Sequence, residues 1–583
     1  MDYTTQLPVE TLCSIFAHAK RAMPAPGAQE LVHFSEARYA YRVIALAWIP
    51  AVTHVCSRWR SVAVNDPSLW TDVPVVLGFE WLRTFVERSR METITLDWKS
   101  LKHIEEGLLQ HTLNRDWVMK EVLPRISGRT RNLIAIFDEH FTPRLSSCSW
   151  PMLEELSVVC HSSFEAANAL LNQDIPCLRR LCWQCRSEDF PFDAPSLSSL
   201  TNLRLELPRG SYDTLMVPLI DLLSRITSLK HLQLYSVKRG FEAWGRQPGP
   251  CRTCLSPQRV QEIPSLKTLL LEATFREINH FITHIHPPAG VKLRLKENAY
   301  GRDGVSASSS MKTICHNLAA WYSASPDTTP FTTVELTNNS TMQLCVRLAR
   351  CATYPTLLSQ DAWDEHINGI HTDLEIECTV VGGLGLEMLV TILQVLGPQS
   401  VRALSLDVDH RLFRSIARCL SADVFHHVVA LHFPQIDGVH CLETVSNNLF
   451  VPPGVTPFPS LRVISFPTAN VRDALHWILN GAYEQSKDTL EEFLSRRRAA
   501  DMSIRAVYLG LADEVRMIRQ EGNPATTSCG QRSEDGWDAI RRAIDMLEAI
   551  PEVVFLSRGI DALYNEAAYN EVLQLERAVV KAT

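Results

Sequence analysis

From Met91 onward the large apolar residues keep returning in one pattern, L-x-x-L-x-L. Leu200, Leu203 and Leu205 form a clean copy, as do Leu229, Leu232, Leu234 and Leu266, Leu269, Leu271. Looser copies start at Leu153, Val401, Leu461 and Ile504. The closing alternation predicts a short strand with one buried face. Three apolar positions alone would match about 15 times by chance in a chain this long, so a second mark is needed. Proline supplies it: Pro151, Pro176, Pro264 and Pro459 each stand two residues before a leucine of this kind, where about one coincidence is expected. A proline-fixed turn delivering the chain into a strand is the expectation at each.

Helical periodicity falls between these strands, at 104–123, 164–172, 214–226, 310–322, 384–396 and 412–420. Strand and helix alternate every 22 to 30 residues or so where regular, with some gaps near 40. The expected fold class is therefore α/β. A small helical module (1–80) precedes an irregular leucine-rich-repeat-like solenoid (81–536), with parallel strands on one face and helices on the other, and a C-terminal helical cap (537–583). Segments rich in Gly, Pro, Ser or charge at 240–264, 298–310 and 522–536 are expected as surface loops.

The N-terminal stretch carries a different pattern. Leu12, Ile15 and Phe16 recur at helical spacing, and so do Val52, Val55, Cys56 and Trp59. Between them, 21–41 contains Pro24-Ala25-Pro26-Gly27 and is expected as an inserted loop. Residues 43–48 are the candidate middle helix, ended or kinked by Pro50. Two such helices cannot fill a core alone; their apolar faces must close on each other and on a third element or a partner protein.

Leu7-Pro8, Glu10, Leu12, Ile15 and Phe16, then Val55-Cys56, Arg58-Trp59-Arg60 and Asp66-Pro67-Ser68-Leu69-Trp70, resemble in order and spacing the F-box-like domains of fungal proteins. The resemblance covers roughly the first 80 of 583 residues. It implies docking onto the Skp adaptor of a cullin-RING ubiquitin ligase, with the rest of the chain acting as a substrate-recognition subunit that holds a protein target. By motif position, Leu7 and Pro8 would open the docking surface, and Leu12, Ile15, Phe16, Val52, Val55, Cys56 and Trp59 would supply its apolar helices. Some of these must face the module's own core, and the pattern does not separate the two sets. The long insertion and the lack of a second ligase-attachment signature keep an alternative open: an interaction scaffold outside ubiquitin ligation.

Composition narrows the classes. Hydrophobic residues make up 46% and charged residues 21% of the chain, as in ordinary globular proteins. A net charge of -8 gives no overall electrostatic footprint for nucleic acid. The 16 cysteines are scattered, many in apolar runs, which points to reduced thiols and an intracellular location, cytoplasmic or nuclear. The first residues lack a basic-then-apolar leader, and no run reaches 18 apolar residues, so neither secretion nor membrane insertion is expected.

Candidate chemistry is sparse. The two C-x-x-C pairs offer four thiolates for a tetrahedral zinc site, but Cys182 and Cys185 fall in a strand-like stretch, where residues three apart face opposite sides; Cys251 and Cys254 sit in a loop and suit a metal better, though zinc is not expected. His280 and His284 are four apart, with His286 beyond, but no glutamate completes H-E-x-x-H. Gly382-Gly383-x-Gly385 has no lysine or acid at a useful spacing, and Arg496-Arg497-Arg498 fits a solvated helix end. No nucleotide-binding loop, nucleophile elbow or kinase signature is present. The expectation is a binding protein, not an enzyme, with no cofactor and no metal.

Overall fold

The computed structural model describes residues 6–22, 46–74, 79–97, 121–137, 145, 147–160, 165–185, 190–208, 212–237, 261–288, 290–297, 304–323, 331–339, 343–350, 373–379, 384–396, 401–408, 426–433, 458–466, 490–509, 542, 544–545 and 547–555. The fold is α/β with mostly parallel sheet. The chain divides into two compact units: Met1–Lys267 with His284–Pro288, and Thr268–Thr283 with Ala289–Thr583.

In the first unit, strands β1 (Asp72–Pro74), β2 (Ile94–Asp97), β3 (Thr130–Phe137), β4 (Glu155–Cys160), β5 (Arg180–Cys185), β6 (Asn202–Pro208) and β7 (His231–Val237) pair in chain order, every pair parallel. A short strand β8 (Gln261–Glu262) pairs with β10 (Ile285–His286). Helices Glu165–Leu171 and Tyr212–Arg225 occupy the crossovers where helical periodicity predicted them. One face of each strand is apolar and buried: Leu133, Leu156, Leu181, Leu203 and Leu232 lie in one row, and Ala135, Val158, Trp183, Leu205 and Leu234 in the next.

The proline mark has a local cause. In Trp150-Pro151-Met152-Leu153, the Leu153 N–H donates to the Trp150 carbonyl at 3.3 Å, closing a turn with proline in its second place. Pro176, Pro264 and Pro459 sit likewise, in turns closed from Leu178, Leu266 and Leu461 at 3.2, 3.2 and 3.1 Å. Proline's fixed φ suits that place. The strand then begins two residues after the leucine, at Glu155, Arg180, Thr268 and Val463. All seven L-x-x-L-x-L copies share this offset, and all three apolar residues of each copy are buried.

The second unit contains β9 (Thr268–Ala273), β11 (Lys292–Glu297), β12 (Thr333–Asn339), β13 (Gln343–Ala349), β14 (Leu374–Thr379), β15 (Ala403–Asp407), β16 (Ala430–His432), β17 (Val463–Phe466), β18 (Ala506–Leu509) and β19 (Val553–Phe555). β11 pairs with β9 and β14, and β12 pairs with β15, all in parallel. β15 to β19 continue in parallel and in chain order. β13, however, runs antiparallel to both β12 and β14. An all-parallel row of strands is thus corrected here, for a steric reason. Only residues 340–342 join β12 to β13, and a parallel return needs a crossover of a dozen residues or more.

Other expectations change with it. Helix Gly304–Ser323 begins inside the segment expected as a loop. Pro50 lies in the first turn of helix Trp48–Thr53, where its missing N–H costs no hydrogen bond, so it does not end that helix. β19 falls within the range expected to be a helical cap, after Pro551, whose turn is closed by the Val553 N–H on the Ile550 carbonyl at 3.1 Å. Arg497 is no solvated helix end: it is 5% exposed, and its guanidinium donates to the carbonyls of Met502 and Phe458 at 3.1 and 2.8 Å. Burial, then Arg462, lowers its pKa to about 10. Helix Leu490–Ala499 closes with Met502 N–H on Arg497 O and Asp501 N–H on Arg498 O, Asp501 taking the left-handed place usual for glycine at φ 57°. The candidate helices at 104–120 and 412–420, the loop at 522–536, the pair Cys251 and Cys254, and residues 556–583 of the cap lie outside the described residues.

Candidate functional site

The N-terminal module is built from helices Val9–Ala22, Trp48–Thr53 and Ser57–Asn65 and a 3-10 turn, Pro67–Trp70. The residues 66–70 explain themselves locally. Asp66 caps the turn through Ser68 N–H at 3.0 Å, Pro67 takes the first place, and Leu69 and Trp70 turn inward. The Trp70 indole N–H donates to Ala63 O at 3.0 Å, and its ring meets Trp48 at 5.3 Å and Phe85 at 5.0 Å. Arg88 stacks on the Trp70 ring at 4.3 Å. Lys20 joins the first helix to this cluster, donating to Leu69 O at 2.9 Å and pairing with Asp72 at 2.7 Å. The Cys13 thiol is pushed up to about 11 by burial and by neighbouring Asp66.

Burial separates the motif residues into the two sets that sequence left mixed. Leu12, Phe16 and Val52 are buried within the module, and Trp59 packs half-buried on Phe16 at 5.0 Å. Cys56 is a helix cap, its sulfur accepting from Trp59 N–H at 3.4 Å. Leu7 is half-buried, and its carbonyl accepts from Arg58. Pro8, Ile15 and Val55 are exposed, the last two at 39% and 54%. Val9, which sequence reasoning did not select, is 48% exposed. Its place at the first turn of the helix, beside Pro8, was the available signal.

A second surface lies on the open face of the first unit's sheet. Register places Thr95, Asn132, Glu155, Arg180, Asn202 and His231 in one row across β2 to β7, and Ile134, Ser157, Cys182, Arg204 and Gln233 in the next. These side chains line a shallow recess of about 330 Å³. Glu155 pairs with Arg180 at 2.5 Å and Glu206 with Arg204 at 3.0 Å. Arg204 stacks on Tyr235 at 4.4 Å, while Tyr235 donates to Gln233 at 3.3 Å. Arg204 Nε and Asn132 Oδ1 are buried atoms with no hydrogen-bond partner among the described residues. The apolar pattern implied this row without showing its chemistry, because it marks only the buried alternate positions.

Cys182 stands on the open face between Ser157 and Arg204. Helix Phe275–His284 carries His280 and His284, the latter buried. Among the described residues no group of three or more His, Cys, Asp or Glu could hold a metal ion, and no helix is long and apolar enough to cross a membrane. No family model matches the chain, and no curated protein sequence matches it either.

Proposed function

We propose that this chain is a substrate receptor, docking through its N-terminal helices onto the Skp-type adaptor of a cullin-RING ubiquitin ligase and holding a protein target on its sheet. The observation that carries the reading is the exposed apolar set Pro8, Val9, Ile15 and Val55 on a module whose other apolar motif residues are buried or half-buried. Exposed apolar residues rimmed by polar ones fit a protein partner. Leu12, Phe16 and Val52 act by holding the helices that present this set, and Cys56 and Trp59 by fixing the start of the third helix.

Co-expression with the adaptor tests it. The wild-type chain is expected to retain the adaptor through purification, and Ile15→Asp with Val55→Asp to weaken retention by about 100-fold, since each places an unpaired charge in a desolvated contact. Circular dichroism of the double variant should match wild type, because both residues are exposed. A wild-type chain that leaves the adaptor behind would remove the ligase reading in favour of a scaffold acting elsewhere.

A further inference from the structure

The reading above needs a target and leaves its chemistry open; the polar face of the first unit narrows it. Counting charge across that face gives an imbalance at one end. Glu154 is paired with Arg131 at 2.8 Å, Glu155 with Arg180 and Glu206 with Arg204. Exposed Lys230 stands immediately before β7, and exposed Lys267 beside it, its N–H donating to the Lys230 carbonyl at 2.7 Å. Half-buried His231 has its pKa lowered by burial first, then by Lys267, Lys230 and Arg180, so three cations converge on one place in the row. Among the described residues, the β5–β7 end therefore carries more positive charge than its own carboxylates offset.

The same end has donors held ready. The Arg204 guanidinium is fixed in plane by Tyr235 and by Glu206, which leaves its buried Nε without a partner. Toward the other end, Asn132 donates to Thr95 Oγ at 3.2 Å, and its Oδ1 is left to accept. A donor-rich cationic end and an amide acceptor, with polar rows between them, match an extended chain bearing both N–H groups and carboxylates. A nucleic acid fits less well. Glu154, Glu155 and Glu206 are interleaved with the cations and would repel a phosphate backbone, and the Tyr235 ring beside Gln233 is already covered by Arg204.

We propose that this face binds an extended acidic segment of a partner protein, with Lys230, His231 and Arg204 receiving its carboxylates and Asn132 accepting from its backbone. This rests on the reading of the sheet as the target-binding part, but its test does not involve the adaptor. Anisotropy of fluorescein-labelled deca-glutamate is measured with the full chain, against deca-glutamine and a ten-residue oligothymidylate. Deca-glutamate is expected to bind at least about 10-fold tighter than deca-glutamine at low salt, losing that margin as salt is raised. Lys230→Glu is expected to cost about 10-fold. Arg125→Glu, the same charge change at an exposed site outside this face, should cost under about 2-fold. Ile15→Asp with Val55→Asp should leave peptide binding intact, which separates this proposal from adaptor docking. Equal binding of the two peptides, tighter binding of the oligothymidylate, or equal losses from Lys230→Glu and Arg125→Glu would each overturn it.

Discussion

The polar rows of the two units start from the same strand alternation and end in opposite states. In the first unit, Thr95 to His231 runs along a face where the Arg180–Glu155 side chains are 60% and 37% exposed. In the second, register aligns Arg294, Glu375, Arg347, Glu335, Ser405, His432, Ser465 and Tyr508 across β11 to β18. From Glu335 to Tyr508 that row is buried. Arg347 reaches Glu335 at 2.8 Å and Glu375 at 3.6 Å, and Arg294 reaches Glu375 at 3.3 Å. Burial of one side of a sheet follows from hydrophobicity; the state of the other side depends on what the rest of the chain lays over it. A row left open is available for recognition, whereas a closed one becomes a second, polar core, held mainly by the Arg347 ion pairs, in which the Ser405 hydroxyl has no hydrogen-bond partner among the described residues.

The contrast is most easily broken at Glu335. Glu335→Ala should cost about 3 kcal/mol, because it removes the nearer of the two carboxylates on the largely buried Arg347 and leaves only Glu375 at 3.6 Å, and urea unfolding would register it. A loss under about 1 kcal/mol would place this row in the same class as the open one.

Acid gives the next largest effect. Burial lowers the His432 pKa from 6.5 to about 3, so the folded chain holds a neutral imidazole. Below pH 6.5 the unfolded chain takes up the proton and the folded one does not. The stability is therefore complete above that value and drains away as pH falls toward 3, by up to about 1.4 kcal/mol per pH unit. Unfolding of wild type and His432→Leu, compared between pH 7 and pH 5, should show the slope reduced by about that amount in the variant.

The smallest effect sharpens the comparison from the other side. A double-mutant cycle on Arg180→Ala and Glu155→Ala should give a coupling of about 0.2–1 kcal/mol that shrinks in added salt. A salt-insensitive coupling of several kcal/mol would mean that the first unit's face is also closed.

Much of this was legible beforehand, for identifiable reasons. Leu178, Leu229 and Leu461 announce strands because each closes a turn and sits in the core, and both roles constrain the residue type. Trp70 and Asp66 were visible as a motif because a capped turn and a buried indole restrict which residues fit. The reversal at β13 was not, since it hinges on a linker length whose meaning appears only once both flanking segments are known to be strands. Arg497 misled because a basic helix end is ordinarily solvated; here the carbonyls of a turn 39 residues earlier draw it inward. Val9 was passed over because an exposed valine leaves no periodic trace.

What the sequence by itself determined was local: the proline turns, the strands they launch, the buried alternate positions and the short capped helices at the N-terminus. Each depends on backbone geometry and on solvent exclusion acting over a few residues. Only tertiary structure decided which motif residues show outward on the helical module, which strand runs backward, and which polar row stays open. Those outcomes depend on segments far apart in the chain meeting, and so on contacts that no short stretch of sequence encodes.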